Sequence, residues 1–394
     1  MIQQLTLSNL LSFGKEVTPI NLNLGLNVLI GANGSGKSNL IEAISLLQAT
    51  PTDLTKPIRD GGGIREWLWK GENFPTEAIL QVVIKNPFGQ MPLKHVLCVT
   101  ESAHRLEIKD ERIENERPHS GETNVYFYYN YQNGHPILNV RATKAKTKLR
   151  KLSFESIDIQ QSILAQRKDP DQYPELTYLG QEYGKIKLYR DWQFGRYTLP
   201  RLPQQADLPN LHLAENLSNL GLVLNRLQRN RDTKQRLLEL LQELYGEIED
   251  FYLQIEGGTV QVFFQEAHLR SPTPATRLSD GTLRFLCLLV ILLHPDPPPL
   301  ICIEEPELGL HPDVLPTLIE LLKEAGTRTQ LIITTHSADL IDELSDMPEA
   351  VLVCEKVNGS TQIKRLDRNE LSVWLENYRL GQLWRRGDIG GNRW

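Results

Sequence analysis

The stretch that most constrains the fold is Leu26-Asn27-Val28-Leu29-Ile30 followed by Gly31-Ala32-Asn33-Gly34-Ser35-Gly36-Lys37-Ser38. An apolar run breaks into a glycine-rich turn and resumes as the helical pattern Asn39-Leu40-Ile41-Glu42-Ala43-Ile44-Ser45-Leu46-Leu47. That order spells a strand, a phosphate-binding loop and a helix. The glycines let backbone N–H groups close around a β-phosphate, and the helix N-terminus adds partial positive charge. Lys37 supplies a mobile cation, and Ser38 places a hydroxyl where Mg²⁺ takes one of its few protein oxygens. The expected nucleotide-binding residues are therefore Asn33, Gly34, Ser35, Gly36, Lys37, Ser38 and Asn39, with Ser38 also a metal ligand.

A chain of 394 residues can bury a large core and hold two or three compact units. Its formal net charge of -6 excludes a surface coated for nucleic acid and leaves only a local basic patch for such contact. Cys98, Cys287, Cys302 and Cys354 are far apart, and three of them sit in apolar runs. They read as buried reduced thiols of a cytosolic protein, not as a metal cluster or disulfide frame. No signal-peptide pattern opens the chain, and the longest apolar run, 285–293, is well short of the roughly 20 residues of a membrane span. A cytoplasmic protein without membrane association is expected.

Leu5 and Leu7, then Ile20, Leu22 and Leu24, alternate as strand residues, so the first fifty residues read strand, strand, strand, loop, helix. From 78 to 140, β-formers dominate and Asn133-Gly134 supplies a tight turn, which predicts an antiparallel sheet. Arg141, Lys144, Lys146, Lys148, Arg150 and Lys151 follow as a basic cluster, equally a solvated strand or loop and a phosphate-contacting patch for DNA. Between 157 and 250 the pattern is mainly helical, without a sustained heptad repeat. Residues 251–265 read as a hairpin, as do 350–357 with 362–366. Asp367 and Glu370 predict a capped helix with Leu371, Trp374, Leu375 and Tyr378 on one face, before an irregular tail.

A second constellation lies in the last third. Ser279 and Gly281 open a helix that is apolar nearly all round, and its N-terminus can bind an anion through backbone N–H groups. Leu300-Ile301-Cys302-Ile303 reads as a buried strand ending in Glu304-Glu305-Pro306-Glu307, and Leu331-Ile332-Ile333-Thr334-Thr335 as another ending in His336-Ser337. A strand, helix, strand order of this kind collects ligands at strand C-termini. Adjacent glutamates at a strand tip face opposite sides. A histidine at such a tip fits a structural role as well as a ligand-sensing one.

The order of phosphate loop, Leu278-Ser279-Asp280-Gly281-Thr282, Glu304-Glu305 and His336 resembles the ABC-type ATPases. The wording Glu304-Glu305-Pro306-Glu307-Leu308-Gly309-Leu310-His311-Pro312, Thr334-Thr335-His336-Ser337 and Leu383-Trp384-Arg385-Arg386-Gly387 is nearest to the RecF/SMC/OLD branch and its stand-alone AAA-family ATPases. The resemblance implies an α/β fold: an ABC-type P-loop NTPase head with a mixed sheet, an antiparallel β subdomain and a helical lobe carrying the signature motif. It divides the chain at 1–150, 151–295 and 296–394, the first and last being the two parts of the nucleotide-binding lobe.

It further implies ATP hydrolysis with Mg²⁺. Glu305 would be the general base, Glu304 the residue holding Mg²⁺ through a water, His336 the switch histidine and Lys37 the catalytic cation. Ser279 and Gly281 would hold the γ-phosphate of the other subunit in an ATP-sandwich homodimer. The Mg-sensing glutamine is expected at Gln166, with Gln160 and Gln161 as alternatives. The expected function is an ATP-driven switch acting on DNA or on an effector protein in trans, in DNA repair or antiviral defence. The competing functions are the ATPase subunit of a membrane transporter and a P-loop kinase or regulator. The missing aromatic stacking signal ahead of the loop and the long insertion before Ser279 speak against the transporter.

Overall fold

In the computed structural model, residues 1–16, 18–71, 75–132, 134–141, 147–152 and 157–391 are described. The chain forms two compact units, the first from 1–186, 351–366 and the chain from Ile389 onward, the second from 187–350 and 367–388.

In the first unit, the early alternation becomes β1 (Ile2–Ser8) and β2 (Ile20–Asn21), and the continuous apolar run becomes β3 (Leu26–Ile30), buried at every residue. The expected alternation fails at Leu24, which is 61% exposed. The Asn27 carboxamide bonds both the N–H and the C=O of Asn23 and the C=O of Gly25, which turns the chain before Leu24 can face the core. Then come α1 (Lys37–Ala49), α2 (Thr55–Asp60) and α3 (Ile64–Trp67). The β-rich stretch supplies β4 (Glu77–Ile84), β5 (Leu93–Ser102), β6 (Arg105–Asn115), β7 (Phe127–Gln132), β8 (His135–Arg141) and β9 (Thr147–Lys151). They join β1 and β2 in one eight-stranded antiparallel sheet with β9 at its edge, as the β-former composition predicts. Asn133 of the predicted turn and Lys144 and Lys146 of the basic cluster lie outside the described residues; Lys148, Arg150 and Lys151 stand on β9. Helices α4 (Ile163–Gln166) and α5 (Pro174–Gly184) close this part of the chain.

The second unit begins with β10 (Lys187–Tyr189), a strand the helical reading of 157–250 does not contain. Three residues are too few to show a period, and only pairing with a distant strand makes them a strand. After β11 (Gln204–Gln205), two segments with leucines at three- and four-residue steps, Leu220, Leu224 and Leu227 and then Leu237, Leu240, Leu241 and Leu244, form α6 (Leu220–Leu227) and α7 (Arg231–Leu244). The predicted hairpin is β12 (Ile248–Glu256) with β13 (Thr259–Glu266), extended by β14 (Thr273–Pro274). Helix α8 (Asp280–Leu292) is buried from Thr282 to Leu292, as a helix without a polar face must be. Strand β15 (Leu300–Glu304), helix α9 (Leu315–Gly326) and β16 (Gln330–Thr334) complete a parallel arrangement in which β15 pairs with β10 on one side and β16 on the other. Helix α10 (Ala338–Asp342) follows.

The chain then returns to the first unit as β17 (Val351–Val357), parallel to β3, and β18 (Ser360–Arg365), antiparallel to β17. Within this unit the sheet around the phosphate loop is therefore mixed. Helices α11 (Arg368–Leu375) and α12 (Leu380–Arg385) end the second unit. On α11, Asp367 caps through the N–H of Asn369, but of the predicted apolar face only Leu371 is buried; Trp374 and Tyr378 are 45% and 40% exposed. Periodicity reports that a helix is amphipathic, not that anything covers it. All four cysteines are buried and free, and burial pushes the Cys98 and Cys354 thiols up to about 12, so they stay protonated.

Candidate functional site

The phosphate loop is set by what surrounds it in the first unit. Buried β3 delivers the chain to Gly31, and α1 begins at Lys37 with no side chain capping its N-terminus. The first-turn N–H groups of a helix have no intrahelical acceptors, so this end is built to receive an anion. Gly36 has φ 101°, and a Cβ there would lie 2.1 Å from Thr361 Oγ1, so no other residue fits. The buried Thr361 hydroxyl lies 2.7 Å from Ser12 Oγ and 2.9 Å from Ser35 O, pinning the loop from β18. The buried Lys37 ammonium folds back to donate to Gly31 O at 2.8 Å and Ala32 O at 3.1 Å. Asn33, Gly34 and Ser38 are exposed and Asn39 is half-buried. A cleft of about 470 Å³ opens beside the loop between Ala32–Ser35 and the Cys354–Val357 strand.

The buried Ser35 Oγ has no hydrogen-bond partner. An orphan hydroxyl inside a loop whose adjoining helix end is uncapped fits a phosphate group, and the exposed Ser38 hydroxyl fits a metal that takes few oxygens from protein. Gln166 is placed differently. Its carboxamide accepts from the N–H of Asp158 and donates to the C=O of Asp158 and Gln161, at 2.9, 3.0 and 2.7 Å. Gln161 is likewise engaged, with the N–H of Leu54 and with Asp53.

In the second unit, the paired strand ends of β15 and β16 bring Glu304, Glu305 and His336 together. Glu304 turns toward β10, where Arg190 Nε lies 3.2 Å from its carboxylate; burial pushes its carboxyl above the ordinary value, and Arg190 offsets part of the rise. Glu305 departs from the strand at φ 45°, its N–H donating to Thr334 O at 3.0 Å. A left-handed conformation at a non-glycine residue costs about 1 kcal/mol or more and is held only where surroundings over-determine it. Its consequence is a half-exposed carboxylate 3.7 Å from His336 Nε2. Strand alternation is not what directs the two glutamates: β15 ends at Glu304, and the left-handed backbone at Glu305 sets the direction of its side chain.

Glu307, to which the motif assigned no role, braces the histidine. Its Oε1 accepts from Thr335 Oγ1 at 2.6 Å and from the His336 N–H at 3.2 Å, and burial raises its carboxyl above the usual range.

The signature turn sits in the same unit. Ser279 caps α8, its Oγ accepting from the Thr282 N–H at 3.0 Å and lying 2.7 Å from Thr282 Oγ1. A Cβ on Gly281 would lie 2.8 Å from Gly309 O, so the turn approaches the Glu307–Leu310 bend closely. Ser279 itself is exposed.

Two arginines missed in the sequence hold this region. Arg201, 4% exposed, donates to Phe194 O at 2.8 Å, Ala275 O at 3.2 Å and Leu278 O at 2.6 Å, and pairs with Asp280. Arg284 donates to Glu305 O at 3.2 Å and lies over the rings of Trp192 and Phe194, while Trp192 Nε1 donates to Glu304 O at 3.2 Å. Backbone around both glutamates is thus tied to α8 and to the 190–201 segment. The stretch from Trp192 to Arg201 has no period or motif, so nothing local to the sequence marked it.

Arg201→Lys is expected to lower the thermal midpoint, with a loss of about 2–4 kcal/mol. One ammonium cannot donate along the several directions a guanidinium covers, which leaves buried carbonyls unpaired. An unchanged melting temperature would show that the four contacts are dispensable.

An AAA domain family model matches residues 4–257, and a second, described as "AAA domain, putative AbiEii toxin, Type IV TA system", matches residues 202–342. No curated protein matches the chain. Among solved structures, it is similar to an Smc head bound to the C-winged helix domain of ScpA, with TM-score 0.59 and 16% identity over 94% of this chain and 99% of that one. An Smc head domain with an extended coiled coil, bound to the C-terminal domain of ScpA and derived from Pyrococcus furiosus, gives TM-score 0.57 and 14% identity over 95% and 98%. An Smc head domain with a coiled coil and joint from Pyrococcus yayanosii gives 0.54 and 12% over 95% and 99%. At these identities the likeness is one of fold: that of the SMC head.

Proposed function

This chain belongs to the AAA domain family, as a RecF/SMC-like P-loop ATPase, and we propose that it is an ATP-hydrolysing switch whose two copies close on ATP and open after hydrolysis. The observation that carries this reading is Glu305, lifted off its strand at φ 45° with its carboxylate 3.7 Å from His336 Nε2. A carboxylate in that position can orient a water and take its proton as the water oxygen bonds to the γ-phosphorus and the bond to the bridging oxygen of ADP breaks. The products are ADP and phosphate. Lys37 and the N–H groups of the loop and α1 bind the phosphates, with Asn33, Gly34, Ser35, Gly36, Ser38 and Asn39 forming the cradle. His336, braced by Glu307, contacts the γ-phosphate.

Mg²⁺, when bound, neutralises phosphate charge; Ser38 and Glu304 are the residues proposed to hold it. Gln166 joins that set only by releasing its bonds to the 158–161 turn. Ser279 and Gly281 serve the nucleotide of the second copy, since an exposed helix N-terminus offers N–H groups to an anion from outside. The work of the switch falls on DNA or on an effector protein in trans; the second matching family description, which names a toxin system, supports an effector in a defence setting. Among the described residues no helix is long and apolar enough to cross a membrane.

Light scattering with ATP and Mg²⁺ tests the assembly. Glu305→Gln is expected to accumulate as a dimer because closure is no longer followed by hydrolysis. Ser279→Arg should bind ATP and show no ATP-dependent gain of dimer, with about 0.5–2 kcal/mol of stability lost with the cap. A Glu305→Gln protein that stays monomeric at saturating ATP removes the composite site.

A further inference from the structure

A cleft of about 570 Å³ lies in the second unit against the signature turn, lined among others by Arg196, Tyr197, Arg201, Leu202, Arg277 and Asp280. Its chemistry is uneven. Arg201 and Asp280, both in the lining, neutralise each other, which leaves Arg196 and Arg277 to set a positive lining. Tyr197 is 80% exposed, unusual for a large aromatic, and the Arg196 guanidinium stands 5.9 Å from its ring centroid. Leu202, 37% exposed, adds apolar surface. Cations beside an exposed aromatic face, in a space of several hundred cubic ångströms, match a ligand that carries both negative charge and a planar ring.

We infer that this cleft receives the base and ribose end of the ATP held by the phosphate loop of a second copy, with Tyr197 stacking on the base and Arg277 facing the phosphates. The inference rests on the dimer reading above, which brings that nucleotide's γ-phosphate to Ser279 and Gly281. Leu278 and Asp280, which flank Ser279, also line the cleft, so a nucleotide ending at the signature turn has its remaining length beside Tyr197. Among the described residues, the lining of the cleft beside the phosphate loop includes no aromatic side chain. In this reading base recognition comes from the partner copy and couples nucleotide identity to closure.

Light scattering on the Glu305→Gln protein, titrated with ATP and Mg²⁺, reads the effect. Adding Tyr197→Ala or Arg277→Ala is expected to raise the ATP concentration at half-maximal dimer about tenfold or more, the scale of one lost stacking contact for Tyr197 and of one lost charge-assisted phosphate contact for Arg277. Tyr197→Phe, which keeps the ring, should retain the parental midpoint. Both residues are exposed, so folding is not at stake. Calorimetry on the monomeric Ser279→Arg protein should give the same ATP affinity with and without Tyr197→Ala. Unchanged midpoints in a protein that still dimerises overturn the cleft assignment and leave the dimer standing. A weaker monomer affinity overturns the assignment in trans. A Glu305→Gln protein that never dimerises overturns both.

Discussion

Lys37→Ala is expected to lose at least about a hundredfold in ATP affinity, because it removes the buried cation that would face the polyphosphate, a charge-assisted contact stronger than a neutral one. The structure adds a second consequence. The ammonium donates to Gly31 O and Ala32 O, so its loss leaves two carbonyls of the loop without that donor, at a cost of about 1–2 kcal/mol in stability. Calorimetric titration with ATP, accompanied by a melting curve, separates the two effects. A folded Lys37→Ala protein with parental affinity would show that the glycine-rich turn does not bind nucleotide, and every role assigned downstream of it would fall.

Glu305→Gln is expected to lower turnover by about a hundredfold to ten-thousandfold while ATP affinity stays within a factor of a few. The amide keeps the size and hydrogen-bonding reach of the carboxylate but cannot accept the proton of water. The unusual backbone conformation is held by the Glu305 N–H to Thr334 O bond and by Arg284 on Glu305 O, neither of which involves the side chain, so the variant should keep the local fold. Phosphate release measured beside calorimetric affinity decides it. Hydrolysis at the parental rate would move the base elsewhere, with His336 the first group to test.

Much of this was legible because it is local. A phosphate loop needs a buried strand, glycines at fixed offsets and a helix, all within about twenty contiguous residues, and the strand tips at Glu304 and His336 are read from short β-branched runs with polar ends. The leucine-periodic helices α6 and α7, the apolar helix α8 and the antiparallel sheet of the first unit follow from period and composition in the same way. The sequence by itself therefore determined the fold class and the residues of the phosphate loop, while the direction of Glu305 follows from its φ of 45°, held by Thr334 and Arg284.

Tertiary structure alone decided which side chains brace them. Thr361 reaches the phosphate loop from the far end of the chain, and Arg190 meets Glu304 because β10, too short to show a period, pairs with β15. Arg201 and Trp192 come from a stretch without motif or repeat, yet they fix the signature turn and the backbone at Glu304. Glu307 was visible as a letter in a motif but not as the acceptor beneath His336. Leu24 and the Trp374 face of α11 went the other way, apolar by pattern and exposed in fact. The physical reason is the same in each case. Propensity and periodicity are properties of neighbours along the chain, whereas hydrogen-bond partners and burial depend on which distant segment arrives at a given side chain, and no local pattern encodes that arrival.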